Sequence, residues 1–193
     1  MDVMQAIKGR RSVRKYKAES VSDKDLDTVL EAARWAPSWA NTQCWRFVVV
    51  RDPQLKAKLA DTLMLKDNRS TSTAAVRDAP VVIVTCAELG KSGYRRGTIA
   101  TDKGDWFMFD TALAMQNLTL AAHAIGLGTV HLGLFDAKEV ANILDVPYGA
   151  VVVEMTPLGY PDEQPIVPRR KELSEIVSKD KFDKRQIGAS PTY

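Results

Sequence analysis

Apolar positions recur along this chain in two rhythms. Val3, Met4 and Ile7 fall on one side of a short helical segment from Val3 to Lys8, broken at Gly9. Ser22-Asp23-Lys24-Asp25 reads as a helix start, and Leu26, Val29, Leu30 and Ala33 follow at i, i+3, i+4 and i+7. That spacing gives one buried stripe, and Pro37 ends it. Phe47-Val48-Val49-Val50 and Pro80-Val81-Val82-Ile83-Val84 are unbroken apolar runs of strand length, with a helix carrying Leu55, Leu59 and Leu63 between them. Asp105 to Ile125 is the longest helical segment and is apolar on nearly every face, which predicts burial on all sides, in a core or a subunit interface. Gly126 is placed to close it. Thr129–Leu132 and Val151–Met155 read as strands, the second ended by Pro157, and Asp136-Ala137-Lys138-Glu139 opens a helix running through Leu144.

Residues 88–104 break both rhythms. They hold Gly90, Gly93, Gly97 and several cations, the composition of a mobile loop or lid. The mixture of helices and short strands predicts an α+β (mixed α/β) fold in a single domain, 1–193.

Composition narrows the partners. Of 193 residues, 45% are hydrophobic and 26% charged, and the net charge of +3 suits an anionic small molecule rather than nucleic acid. No apolar run approaches the roughly 20 residues of a membrane span, so no membrane partner is expected. Cys44 and Cys86 stand far apart without CxxC spacing, and Met1–Gln5 lacks a basic-then-apolar leader pattern. A reducing, cytoplasmic location is the expectation. His123 and His131 fall on different elements with no third ligand in register, so no metal site is expected.

The candidate chemistry begins at Gly9-Arg10-Arg11-Ser12-Val13-Arg14. Three guanidinium groups and a hydroxyl in five residues make a clamp for a compact polyanion, because the planar arginine fork bonds phosphate oxygens in pairs and stays ionised. Alone, the run is open to three readings: gripping a cofactor phosphate, lying along nucleic acid, or forming a solvated turn. A second polar turn follows in Ala36-Pro37-Ser38-Trp39-Ala40-Asn41-Thr42-Gln43-Cys44-Trp45-Arg46-Phe47, where Ser38, Asn41 and Gln43 offer a hydroxyl and two amides. Gly126-x-Gly128 lacks the full dinucleotide fingerprint and its strand-to-helix order.

Taken together, Arg-Arg-Ser-x-Arg and Ala-Pro-Ser-x-x-Asn-x-Gln-x-Trp resemble the N-terminal signature of the FMN-dependent nitroreductase family. Gly126-Leu127-Gly128-Thr129-Val130 with Gly133, Leu158-Gly159-Tyr160-Pro161 and Arg169-Arg170-Lys171 extend the resemblance over nearly the whole chain. The resemblance implies a central mixed sheet flanked by helices and an intertwined homodimer with FMN, bound without a covalent link, at two interface sites. It assigns Arg10, Arg11, Ser12 and Arg14 to the flavin phosphate or pyrimidine edge, and Arg170 and Lys171 to the phosphate. Pro37, Ser38, Trp39, Asn41 and Gln43 would also bind flavin, with Pro37, Ser38 and Asn41 reaching across from the partner subunit. His131, Leu132 and Gly133 would lie beside the isoalloxazine, Lys66–Arg69 would add a further contact, and the tail 172–193 would pack on the partner. The implied activity is ping-pong, with NAD(P)H as transient co-substrate and then a nitroaromatic, quinone or related acceptor; the alternatives are a flavin dehydrogenase or dehalogenase of the same family, or a non-catalytic FMN-binding storage or sensor protein. Flavin N5 carries the hydride, and no catalytic side chain is expected. Two positions depart from the pattern: His131 stands where tryptophan is common, and Cys44 where proline is common.

Overall fold

The structure is a computed structural model that describes residues 1–64 and 71–183. Helix α1 (Val3–Gly9) starts at a capping box between Asp2 and Gln5, and α2 (Asp23–Arg34) starts at Ser22, whose hydroxyl accepts the Asp25 N–H. Strand β1 (Trp45–Val50), helices α3 (Pro53–Asp61) and α4 (Thr71–Asp78), and strand β2 (Val81–Glu88) follow. A hairpin of β3 (Tyr94–Arg95) and β4 (Thr98–Ile99) precedes the long α5 (Phe107–Ala124). The chain closes with β5 (Gly128–Thr129), α6 (Ala137–Ile143), β6 (Ala150–Gly159) and the single turn α7 (Leu173–Ile176).

Four strands form the main sheet in the order β1-β2-β6-β5. β2 is buried along nearly its whole length, and its alternate residues serve two cores. Val81 and Ile83 join Leu26, Val29 and Ala33 of α2 and Ala114, Met115 and Leu118 of α5. Val82, Val84 and Cys86 join Leu59 of α3, Val76 of α4 and Val140 of α6. The period of two in a strand sends successive side chains to opposite faces, so one apolar run fixes three layers, helix–sheet–helix.

Several expectations are revised. Among the described residues the strand ladders are antiparallel, and the parallel pairing is the bridge of Ser12 with Thr129. β6 runs through Pro157 to Gly159 instead of stopping there. Backbone groups of alternate residues face the same neighbour, and Met155 exchanges both bonds with Leu132 at 3.0 Å. Pro157 faces the same side and has no N–H to donate, and the pairing resumes beyond it where Leu158 meets Thr129. Thr129–Leu132 is correspondingly a two-residue strand and a separate bridge. Helix α5 buries Ala114, Met115, Leu118 and Ala122 but exposes Met108 and Phe109, so its outer face is uncovered in the single chain. The segment 88–104 carries the β3–β4 hairpin, turned at Arg96 and Gly97, both at positive φ as a two-residue type I′ connection requires. Among the described residues no helix is long and apolar enough to cross a membrane.

Candidate functional site

Two segments some 150 residues apart meet at the edge strand β5. Thr129 bridges Ser12, and its carbonyl accepts the Val13 N–H at 2.9 Å. Gly128 permits this approach, since a Cβ there would stand 2.8 Å from Val13 Cβ. Beyond the bridge, Tyr16 pairs with Pro161, Lys17 donates to the Tyr160 carbonyl, and the Glu163 carboxylate accepts the N–H groups of Arg14 and Lys15. Burial, reinforced by Glu163, holds the Tyr16 phenol well above its ordinary value, so its protonated hydroxyl donates to the Val13 carbonyl.

This staple brings the two basic clusters together. Arg10, Arg11, Ser12, Arg14 and Arg170 line one cavity of about 400 Å³ with Pro165, Ile166 and Pro168. Lys171 is not among its lining residues. Arg11 spends part of its donor set on the end of α1, bonding the Lys8 and Arg10 carbonyls at 2.6 and 2.8 Å. Arg10 Nη1 is buried without a hydrogen-bond partner. Burial first, then the charges of Arg11 and Arg170, hold the Arg10 guanidinium below its ordinary value. Like charges converge here with no carboxylate in the lining, and a buried donor is left open; an anion would relieve both.

A smaller cavity of about 340 Å³ shares Arg10 and Arg11 and is lined also by His123. His123 is half-buried, its pKa lowered by burial, then by Arg10 and Arg11. Its ring presses on Gly9, where a Cβ would lie 2.6 Å from Nε2.

The second motif stands apart from this cavity in the single chain: Pro37, Ser38, Trp39, Asn41 and Gln43 do not line it. They form a tight turn between α2 and β1 in which Ala40, Asn41 and Gln43 all have positive φ, at 43°, 57° and 48°. Non-glycine residues in that region are strained and persist only where their surroundings over-determine them, which is common at binding sites. Here the Asp110 carboxylate, buried in the first turn of α5, accepts the Trp39 N–H at 3.0 and 3.1 Å. The Ser38 hydroxyl accepts the Gln43 N–H at 2.9 Å, and Gln43 Nε2 donates to Asn41 Oδ1 at 3.2 Å. Asp110 also accepts the Ser92 hydroxyl at 2.6 Å. Trp106 packs against Trp39 and Phe109 at ring distances of 5.9 and 5.0 Å. One carboxylate therefore sets the turn and the base of the hairpin against α5, while Pro37, Asn41 and Gln43 stay exposed.

The third group divides. Leu132 is buried and tied to Met155; Gly133 is exposed, with open space where a Cβ would stand. His131 is exposed, with Nδ1 3.1 Å from both carboxylate oxygens of Glu154, whose Oε1 also accepts the Thr156 hydroxyl at 3.0 Å. Asp110, Glu154 and Glu163 are absent from the residues the sequence singles out. Asp110 had a legible signal, an acid inside an otherwise apolar helix; Glu154 and Glu163 had none. Lys66–Arg69 lie outside the described residues.

Comparison with known proteins bears on this arrangement. Residues 7–160 match the sequence profile of the nitroreductase family. The chain is 32% identical over 204 residues to an NADH dehydrogenase of Thermus thermophilus, covering 92% of this chain and 95% of that one. A nitroreductase family protein from Clostridium novyi NT has a similar structure, with a TM-score of 0.74, 30% identity, and coverage of 84% and 87%. An FMN-dependent nitroreductase from Clostridium difficile R20291 superposes with a TM-score of 0.76 at 26% identity, covering 93% of this chain and all of that one.

Proposed function

The chain belongs to the nitroreductase family, and from that premise we propose that it is an FMN-dependent oxidoreductase that uses NAD(P)H to reduce nitroaromatic, quinone or related acceptors by a ping-pong route. The observation that carries the reading is the cavity where Arg10, Arg11, Ser12, Arg14 and Arg170 converge, with Arg10 Nη1 buried and unpartnered. A flavin phosphate carries roughly two negative charges near neutral pH and several acceptor oxygens, which is what that group of donors lacks. Arg10, Ser12, Arg14 and Arg170 hold it, and Arg11 braces the end of α1 behind them. When bound, FMN supplies the hydride chemistry; the chain supplies position and charge.

The protein acts as a homodimer in this reading. The exposed apolar residues Val3, Met4 and Ile7 of α1 and Met108 and Phe109 of α5 support a partner surface. The strained turn 37–43, with Pro37, Asn41 and Gln43 exposed and none of its residues lining its own chain's arginine cavity, completes the partner's flavin site. Residues 172–183 run largely exposed with Leu173, Ile176 and Phe182 uncovered, in keeping with a tail that packs on the second subunit.

The test is direct. Purified protein is expected to be yellow, to be bleached by NADH or NADPH without oxygen, and to recover its colour on adding a nitroaromatic or quinone. Arg10→Ala is expected to lose roughly tenfold or more in FMN affinity, the effect of removing one charge-assisted bond of about 1.5–3 kcal/mol. A colourless protein that FMN cannot reconstitute overturns the reading, and unchanged flavin affinity in Arg10→Ala overturns the anchor.

A further inference from the structure

We propose that His131 is the proton donor to the acceptor, held for that task by Glu154. The inference rests on the flavin reading above and assigns a role to a position where this chain departs from the family pattern.

The geometry is that of an oriented imidazole. Glu154 sits in β6 with its side chain only 16% exposed, yet its carboxylate is doubly engaged. Oε1 accepts the Thr156 hydroxyl at 3.0 Å, and both oxygens lie 3.1 Å from His131 Nδ1. Among the described residues Glu154 is the charged group against the ring. An exposed ion pair between two free side chains contributes little, but this carboxylate is fixed in the sheet by a buried threonine and so fixes the ring in turn. A carboxylate at Nδ1 selects the tautomer with the proton there and leaves Nε2 as the atom that meets an incoming molecule. The His131 side chain remains 37% exposed, so Nε2 can be reached and can be reprotonated from solvent.

The position is also appropriate. Thr129 pairs with Ser12 of the arginine run, and His131 follows two residues later, within about 7 Å along the chain. That span is shorter than a flavin mononucleotide, so one molecule anchored at the arginines can extend alongside the ring.

The chemistry balances. Reduction of a quinone to a hydroquinone takes two electrons and two protons. The hydride brings both electrons and one proton. The second proton leaves Nε2 of the imidazolium as the new O–H bond forms, and the neutral ring regains a proton from water. No other co-reactant is needed.

Two measurements test this. In flavin-free protein, nitrogen-15 NMR of the imidazoles reads the tautomer directly; with two histidines in the chain, His131→Gln assigns the signals. The neutral ring is expected with its proton on Nδ1, and Glu154→Gln is expected to release it to a mixture. In flavin-loaded protein already bleached by NADH, reoxidation by a quinone is then timed, so the reductive step does not enter. His131→Gln is expected to be slower by roughly a hundredfold, the low end of general acid catalysis, and added imidazole is expected to restore part of the rate. A neutral wild-type ring with its proton on Nε2 and not on Nδ1, an undiminished rate in His131→Gln, or a loss that imidazole does not restore each overturns the proposal. A protein that binds no flavin overturns the reading beneath it, and the proton-donor role falls with that reading.

Discussion

Single atoms decide several of the close approaches in this molecule. Gly9 ends α1 with ordinary helical geometry, so alanine there would be favoured by helix propensity alone. A Cβ at that point, however, would stand 2.6 Å from Nε2 of His123. Gly9→Ala is therefore expected to push the half-buried His123 ring off its preferred rotamer, at a cost of about 0.5–1.5 kcal/mol. The double variant with His123→Ala should recover most of that loss, which chemical denaturation of the four proteins of the cycle would read. Residue-scale logic also explains what the sequence disclosed about the site. Arg10, Ser12, Arg14 and Arg170 were legible because their chemistry is unusual in type and density. Glu163 and Glu154 were not, because an acid that bonds two backbone N–H groups or an imidazole looks, in sequence, like any solvated acid.

Whole elements obey local periodicity where their contacts lie on one face, and depart from it where neighbours define them. The stripe Leu26, Val29, Ala33 announced α2, and the unbroken apolar run of Val81 to Val84 announced a strand buried on both sides. Strand β5 was overestimated because its two residues exist only by pairing with Gly159 and Leu158. The hairpin at 94–99 was hidden because its turn uses Arg96 at a position where asparagine is the familiar signal. What unites hairpin, turn and helix is Asp110. Its replacement by alanine strands a buried donor, the Ser92 hydroxyl, and a half-buried one, the Trp39 N–H, at a cost of roughly 1–3 kcal/mol. Asp110→Ala is expected to lower the melting temperature and to speed amide exchange at residues 38–43 and 92–106 more than elsewhere. Uniform exchange across the chain would argue against a shared anchor.

Across the whole molecule, stability should respond to alkaline pH through its two buried thiols. Burial, aided at Cys44 by Asp110, pushes Cys44 up to about 11, and burial alone does the same for Cys86, against an ordinary value of 9.0. The protonated thiol is the folded form, so its stabilisation is complete below pH 9 and is lost as pH climbs to 11, while the unfolded chain ionises first. A decline on the order of 2 kcal/mol per thiol is expected over that window. Cys86→Ala should remove about half of the total decline in urea titrations at pH 8, 9.5 and 11. A different consequence follows from the staple between residues 12–17 and 157–163. On the ribosome, Arg10 leaves the tunnel long before Arg170, by roughly 10–30 seconds at ordinary elongation rates. Until strand β6 and the segment after it emerge, the nascent chain has one jaw of its anion cradle and nothing to close against. Under the proposed flavin reading, cofactor acquisition is then a late event in the life of the polypeptide.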